Sequence, residues 1–240
     1  MTRPDCTLTL TANAGLIGRL RSLSFTLDAF HDRPSGGFSA LTPAMAETAL
    51  EAARLAGPEL LLVTHGHADH YSQALTRRFL DASPGTKPLL PFETGEESGF
   101  ARLDHGSVEY LRMTHDGAPP LDRAPNYGFL LRSDGLSLFT AGDANPADAG
   151  VTRLIDGLEP DIAVLDFPWI TTARGRKALA LMRPRRLALI HLPFREDDAN
   201  GYIPSAERCA ERYFAGGGAR VLSAFLQTED FFIGAEPRDA

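Results

Sequence analysis

The chain has 240 residues, 43% hydrophobic and 23% charged, with a formal net charge of −7. That length and balance suffice for a full hydrophobic core and exclude disordered and fibrous classes. The mild acidic excess and the lack of a Lys/Arg run of the nucleic-acid-binding kind count against nucleic acid as a partner, and no apolar run approaches membrane-spanning length.

The opening MTRPDCTLTLT has no long apolar core and does not read as a signal peptide. Cys6 and Cys209 are far apart and lack zinc-ribbon spacing, which fits a reducing compartment, so a cytoplasmic protein is expected. Residues 6–12 and 22–28 alternate polar and apolar, with Leu23, Phe25 and Leu27 on one face, and read as neighbouring antiparallel strands. The Gly-, Pro- and Ser-rich stretch after Asp28 is a loop. A helix follows, capped by Thr42, opened by Pro43 and ended by Gly57-Pro58. Residues 59–64, ELLLVT, form an apolar run typical of a strand buried on both faces.

Beyond that strand a helix is expected over 71–81 and a turn at Ser83-Pro84-Gly85. Strands are expected around 88–91, 107–113, 127–132 and 136–140, the last two joined by an Asp134-Gly135 hairpin. DIAVLD (161–166) and RLALIH (186–191) are buried-type strands with a helix near 172–182 between them. A helix at 205–214, strands at 219–225 and 229–233, and a loose tail AEPRDA complete the chain. The pattern predicts mixed sheets with helices outside, and no linker divides it.

Chemistry concentrates directly after the first buried strand, in His65-Gly66-His67-Ala68-Asp69-His70. Four of these six positions are metal-ligand types, and the two spacers are small enough for a tight turn. Asp69 could instead cap the helix near Tyr71, and any one of these histidines alone reads as a polar loop residue. Three histidines and an aspartate in six residues exceed what loop polarity explains, and imidazole with carboxylate suits zinc, iron or manganese. Three later candidates also sit just past strands: His115 in LRMTHDG, Asp143 in LFTAGDANP and His191 in LALIHLPF. One edge of packed sheets would bring all four segments together.

This ordered set, H-x-H-x-D-H followed by His, Gly-Asp and His, with Asp28 ending the early strand SLSFTLD, resembles the metallo-β-lactamase superfamily of metal-dependent hydrolases. The compact length and the FTAGDAN and IHLPF contexts resemble its ascorbate-6-phosphate lactonase-like branch. The resemblance implies an α/β fold, a four-layer αβ/βα sandwich of two mixed β-sheets with helices outside, in a single domain over 1–240. It implies two divalent metal ions, zinc first, with manganese or iron as alternatives. His65, His67 and His115 would hold one ion, Asp69, His70 and His191 the other, and Asp143 would bridge them. Asp28 would stand behind the histidine loop, and Asp69 would be the catalytic residue that orients a bridging hydroxide.

The activity so implied is hydrolysis of an ester, lactone or phosphoester of a small molecule, with an anionic one left open by the arginines near the ligand-bearing strand ends. A metal-binding sensor or scaffold without turnover is the alternative. A di-iron redox protein ranks last, because the family's di-iron oxygen reductases carry Glu where this chain has His67. The small-molecule substrate is the expected partner, with a homo-oligomer left open. Substrate contacts are one reading of His31 and Arg33 in the loop after Asp28, of Arg195 four residues beyond His191, and of Trp169 as an apolar wall, with Arg174 and Arg176 nearby; exposed loop side chains, and core burial for Trp169, are the other. His105, in the polar turn LDHGS, is expected to be solvated.

Overall fold

Thr7 and Thr9 alternate with Cys6, Leu8 and Leu10, and in the computed structural model this pentad is strand β1 (Cys6–Leu10), its apolar side chains fully buried. The structure describes residues 3–214, 216 and 218–234, and the expected tail at 235–240 lies outside them. β1 pairs antiparallel with β2 (Leu16–Leu20) and with β13 (Thr228–Phe231). β3 (Leu23–Leu27), β4 (Leu60–Leu62) and β5 (Lys87–Leu89) complete a six-stranded mixed sheet in the order β13-β1-β2-β3-β4-β5. The expected direct pairing of segments 6–12 and 22–28 is therefore corrected, because β2 runs between them. β2 is covered on both faces, so its sequence LIGRL carries no polar alternation to reveal it.

The second sheet has seven strands in the order β12-β11-β10-β9-β8-β7-β6. They are β6 (Ser98–Arg102), β7 (Ser107–Met113), β8 (Asn126–Ser133), β9 (Leu136–Thr140), β10 (Ile162–Asp166), β11 (Arg186–Ile190) and β12 (Ala219–Val221). β6 to β9 pair antiparallel and β9 to β12 parallel, so this sheet too is mixed. The β8–β9 hairpin turns through Asp134 (φ 46°) and Gly135 (φ 79°), the backbone its Asp-Gly pair favours.

Side-chain alternation then assigns the layers. In β10, Ile162 and Val164 point into the core between the sheets, together with Leu8, Phe25 and Leu60 of the first sheet and Phe129 and Ala188 of the second. Ala163 and Leu165 point outward and are covered by helices α4 (Ala149–Ile155), α5 (Pro168–Thr171), α6 (Ala173–Met182) and α7 (Tyr202–Tyr213). On the far side, α1 (Pro43–Ala56) and α2 (Gln73–Ala82) bury Ala46, Ala49, Ala53, Leu75 and Phe79 against Ile17, Leu61 and Val63. A four-residue helix, α3 (Pro91–Thr94), follows β5. The result is helix, sheet, sheet, helix, with each large aliphatic side chain buried at these faces stabilising the fold by roughly 1.5–3 kcal/mol. Among the described residues no helix is long and apolar enough to cross a membrane.

α1 starts as expected: Pro43 takes the first turn, the Thr42 hydroxyl accepts from the Met45 N–H at 3.3 Å, and Gly57 closes the helix at φ 58°. α2 instead begins at Gln73 with Ser72 before it, so Asp69 is not its cap. Strands β3 and β4 run parallel, as do β9, β10 and β11, so the segments that follow them leave in common directions. They carry the His65–His70 run, Asp143 and His191, and His115 follows β7, which runs in the same direction as β9 because both pair antiparallel with β8.

Candidate metal centre

Asp28 directly follows β3 with φ 45°, an uncommon conformation for a residue with a side chain. That twist aims its carboxylate at the segment following β4. Oδ1 accepts from the Thr64 N–H at 2.8 Å, and Oδ2 accepts from the Thr64 hydroxyl at 2.7 Å and from His70 Nδ1 at 2.9 Å. The Thr64 hydroxyl is also 3.0 Å from His65 Nδ1. His115 Nδ1 faces the Asp116 carbonyl, which can only accept. Carbonyl and carboxylate partners place the Nδ1 proton on His70 and His115, so that Nε2 of each ring is the atom that can offer a lone pair to a cation.

Those lone pairs converge. Nε2 of His65, His70, His115 and His191 and Oδ1 of Asp143 are all buried without a hydrogen-bond partner. Asp143 Oδ1 is 3.3 Å from His70 Nε2, while Oδ2 is 3.8 Å from His65 Nε2, 3.8 Å from His115 Nε2 and 3.7 Å from His191 Nε2. His191 Nε2 is also 3.7 Å from Asp69 Oδ2. Donors at bonds of about 2.0–2.1 Å around a tetrahedral ion lie about 3.3–3.4 Å apart, close to these spacings. Three overlapping triples have donor atoms within 4.8 Å of one another: His65, His67 and His115; His65, His70 and Asp143; and Asp69, His70 and His191. Five converging orphaned donors would be costly in a dry interior, and a divalent cation satisfies them together. The residues present therefore fit a metal centre.

The protonation states agree. Burial lowers the His65 and His67 imidazoles, so both stay neutral. Burial alone would also lower His70, but Asp143 and Asp28 outweigh it and raise it well above the usual range. Burial would raise Asp143 and Asp69, yet His191 and His70 beside them hold both carboxyls below the usual carboxylate range. Without metal, His70 and Asp143 form an ion pair; a cation would take the proton's place between them.

Local backbone geometry supports the cluster. Gly142 precedes Asp143 at φ 54°, and a Cβ there would lie 2.4 Å from Asn126 Oδ1 and 2.8 Å from Thr64 Cβ. Asn126 accepts from the Asp143 N–H at 3.0 Å and donates to the Ala141 carbonyl at 2.9 Å, fixing the turn that presents Asp143. His191 takes φ 57°, and its N–H donates to the Asn13 carbonyl at 2.6 Å. Asn126, Thr64 and Asn13 carried no motif in the sequence. Asp166 was missed too: it ends β10 between the segments bearing Asp143 and His191, is 8% exposed and has an unpartnered Oδ1. Burial first, then Asp143 and Asp116, push its carboxyl well above the usual range.

The residues expected at the substrate separate. His31 is fully buried with both ring nitrogens unpartnered, and burial with the charge of His70 lowers it to about 3. Arg33 is exposed on its loop. Trp169, on α5, is fully buried in the core, the second of its two readings, and the apolar-wall reading is thereby corrected. Arg195 turns to Glu207 at 2.7 Å on the surface. Arg174 reaches Asp116 at 2.5 Å, and Arg176 binds the carbonyls of Ile170 and Thr171. His105 is exposed, as expected, and pairs with Glu59 at 2.8 Å.

Comparison with solved structures places this architecture. The chain superposes on Igni18, described as a novel metallo hydrolase from Ignicoccus hospitalis, with a TM-score of 0.63, 17% identity, and 94% and 98% of the two chains covered. It superposes on the metallo-β-lactamase fold protein YhfI from Bacillus subtilis with a TM-score of 0.59, 11% identity, and 94% and 99% covered. These superpositions show that the chain has the metallo-β-lactamase fold. In sequence it is similar to a UPF0173 metal-dependent hydrolase from Opitutus terrae, 30% identical over 155 residues. The match spans 55% of this chain and 66% of that relative, just under two thirds of its length. No protein-family model matches the chain.

Proposed function

We propose that this chain is a dinuclear metal-dependent hydrolase that cleaves an ester, lactone or phosphoester of a small molecule. The observation that carries the reading is the convergence of four buried, unpartnered imidazole nitrogens on the Asp143 carboxylate. His65, His67 and His115 would hold one ion and Asp69, His70 and His191 the second. Asp143 would serve both, since it approaches the first triple through His65 and His115 and the second through His70 and His191. Zinc suits this donor set best, with manganese and iron as alternatives.

When bound, two such ions act as Lewis acids and bring the pKa of a shared water to near neutrality. The chain's residues perform the remaining work. Asp69, held as a carboxylate next to His191, orients the attacking water and accepts its proton. Asp28 and Thr64 fix the rings of His70 and His65. Arg33, exposed on the loop that follows Asp28, suits an anionic group on the substrate.

Elemental analysis of protein purified without chelator, paired with a screen of generic esters, lactones and phosphodiesters, tests the reading. The expected result is about two divalent ions per chain and turnover abolished by chelation. Protein that binds no divalent ion under any loading condition refutes it; full metal content with no turnover favours the sensor or scaffold alternative.

A further inference from the structure

The reaction proposed above uses no aromatic side chain, yet a row of three abuts the cluster. Phe38 closes the turn that begins at Ser35, in the loop after Asp28, where Gly36 and Gly37 take φ of 56° and 88°. Its ring centroid is 4.3 Å from that of His191. Phe38 also stacks with Tyr202, centroids 6.2 Å apart and planes within 25°. Tyr202 in turn meets Phe167 at 5.0 Å and 30°. The three rings come from the loop after β3, the start of α7 and the residue after β10, and each is half-buried.

The loop also has a polar tether of its own. Ser39, next to Phe38, donates to Asp197 Oδ2 at 2.7 Å and accepts from the Phe194 N–H at 2.7 Å. These bonds tie the loop to the segment after His191 through a different residue. Incompletely buried aromatic rings forgo hydrophobic stabilisation, and a contiguous apolar surface beside a polar cluster is the usual make-up of a small-molecule site. Rings near parallel at these separations suit another flat ring, which gains stacking as well as burial.

We propose that Phe38, Tyr202 and Phe167 form a shelf for a planar, apolar part of the substrate, so that the compounds this site takes are aryl or similarly flat esters, lactones or phosphoesters. The substrate assignment rests on the hydrolase reading; the shelf's binding of flat molecules does not. The shelf places the flat group beside His191, leaving the hydrolysable bond toward Asp143 and Asp69.

The test uses the full metal-loaded chain titrated with 2-naphthoate and with its saturated decahydro analogue, which carries the same charge without a flat ring. Naphthoate is expected to bind more tightly, and Phe38→Leu is expected to weaken it about 3- to 10-fold relative to the analogue, the range of one aromatic contact. Tyr202→Leu gives the same relative loss and stands in if Phe38→Leu does not fold. For any naphthyl ester turned over, kcat/KM relative to the methyl ester falls by the same factor in both variants. Equal affinity for the two carboxylates, or equal weakening of both by each variant, overturns the proposal and leaves the rings a structural role. Ring-selective, Phe38-dependent binding without any turnover upholds the shelf and removes the hydrolase reading.

Discussion

Asp28 and His70 lie 42 residues apart and are joined by a 2.9 Å hydrogen bond from imidazole Nδ1 to carboxylate Oδ2. The same oxygen takes the Thr64 hydroxyl, and Oδ1 takes the Thr64 N–H. One carboxylate thus sets a ring tautomer and anchors the turn preceding the histidine run. Asp28→Ala should weaken metal binding by about 10- to 100-fold, the usual cost of losing a ligand's supporting partner. Competition with a chromogenic chelator measures it, and unchanged affinity would show that the His70 ring is oriented by packing alone.

Asp143 stands between the two candidate triples, so its loss should be felt at both. Asp143→Ala is expected to take bound metal from about two ions to one or fewer and to reduce hydrolysis further than it reduces the first ion. His105→Ala, at an exposed pair with Glu59, should change neither and shift stability by no more than about 0.5 kcal/mol. Elemental analysis of both variants after desalting provides the check. An Asp143→Ala protein with two ions and parental turnover would be incompatible with a bridging role.

Asp166 gives a pH-dependent expectation for the metal-free protein. Its folded pKa lies above the ordinary carboxylate value, so the folded state keeps a proton that the unfolded chain releases as pH passes about 4. Its contribution to stability therefore declines as pH rises from there toward the raised value. Asp166→Asn removes that slope, so in EDTA the variant's Tm should exceed the parent's by a margin that widens from pH 4 to pH 8. A margin that stays flat or narrows would mean that Asp166 is ionised in the folded protein.

Gly142 is sterically confined. Gly142→Ala would place a methyl group 2.4 Å from Asn126 Oδ1 at φ 54°. The backbone alone costs about 1–2 kcal/mol, and the displaced Asn126 would release the turn that holds Asp143. A lowered Tm together with weaker metal retention is expected. Thermal melts with and without added zinc separate the two effects, and a variant as stable and as metal-retentive as the parent would contradict the packing described.

The sequence alone determined a good deal. The run from His65 to His70 is legible because a short turn keeps its ligands adjacent however the rest of the chain packs. β10 and β11 show themselves as unbroken apolar runs because both faces are covered. The Thr42-Pro43 start and Gly57 end of α1 are local signals and were readable as such. By contrast β6, an exposed edge strand reading SGFAR, and α4, a seven-residue helix capped by Asp148, were too short and too weakly patterned to detect. β2 was hidden because burial on both faces erased its alternation.

The tertiary structure decided everything that depends on register between distant segments. It brought Asn126 beneath Asp143, Asp166 to the sheet edge between Asp143 and His191, and Phe38 against His191. It also sent Trp169 into the core and Arg195 to Glu207, although both follow strands that lead to the cluster. Periodicity reports whether a residue is covered, but the residue that covers it is fixed by long-range strand pairing. That pairing is settled by total burial and by hydrogen-bond satisfaction across the two sheets, quantities that no local window of sequence contains.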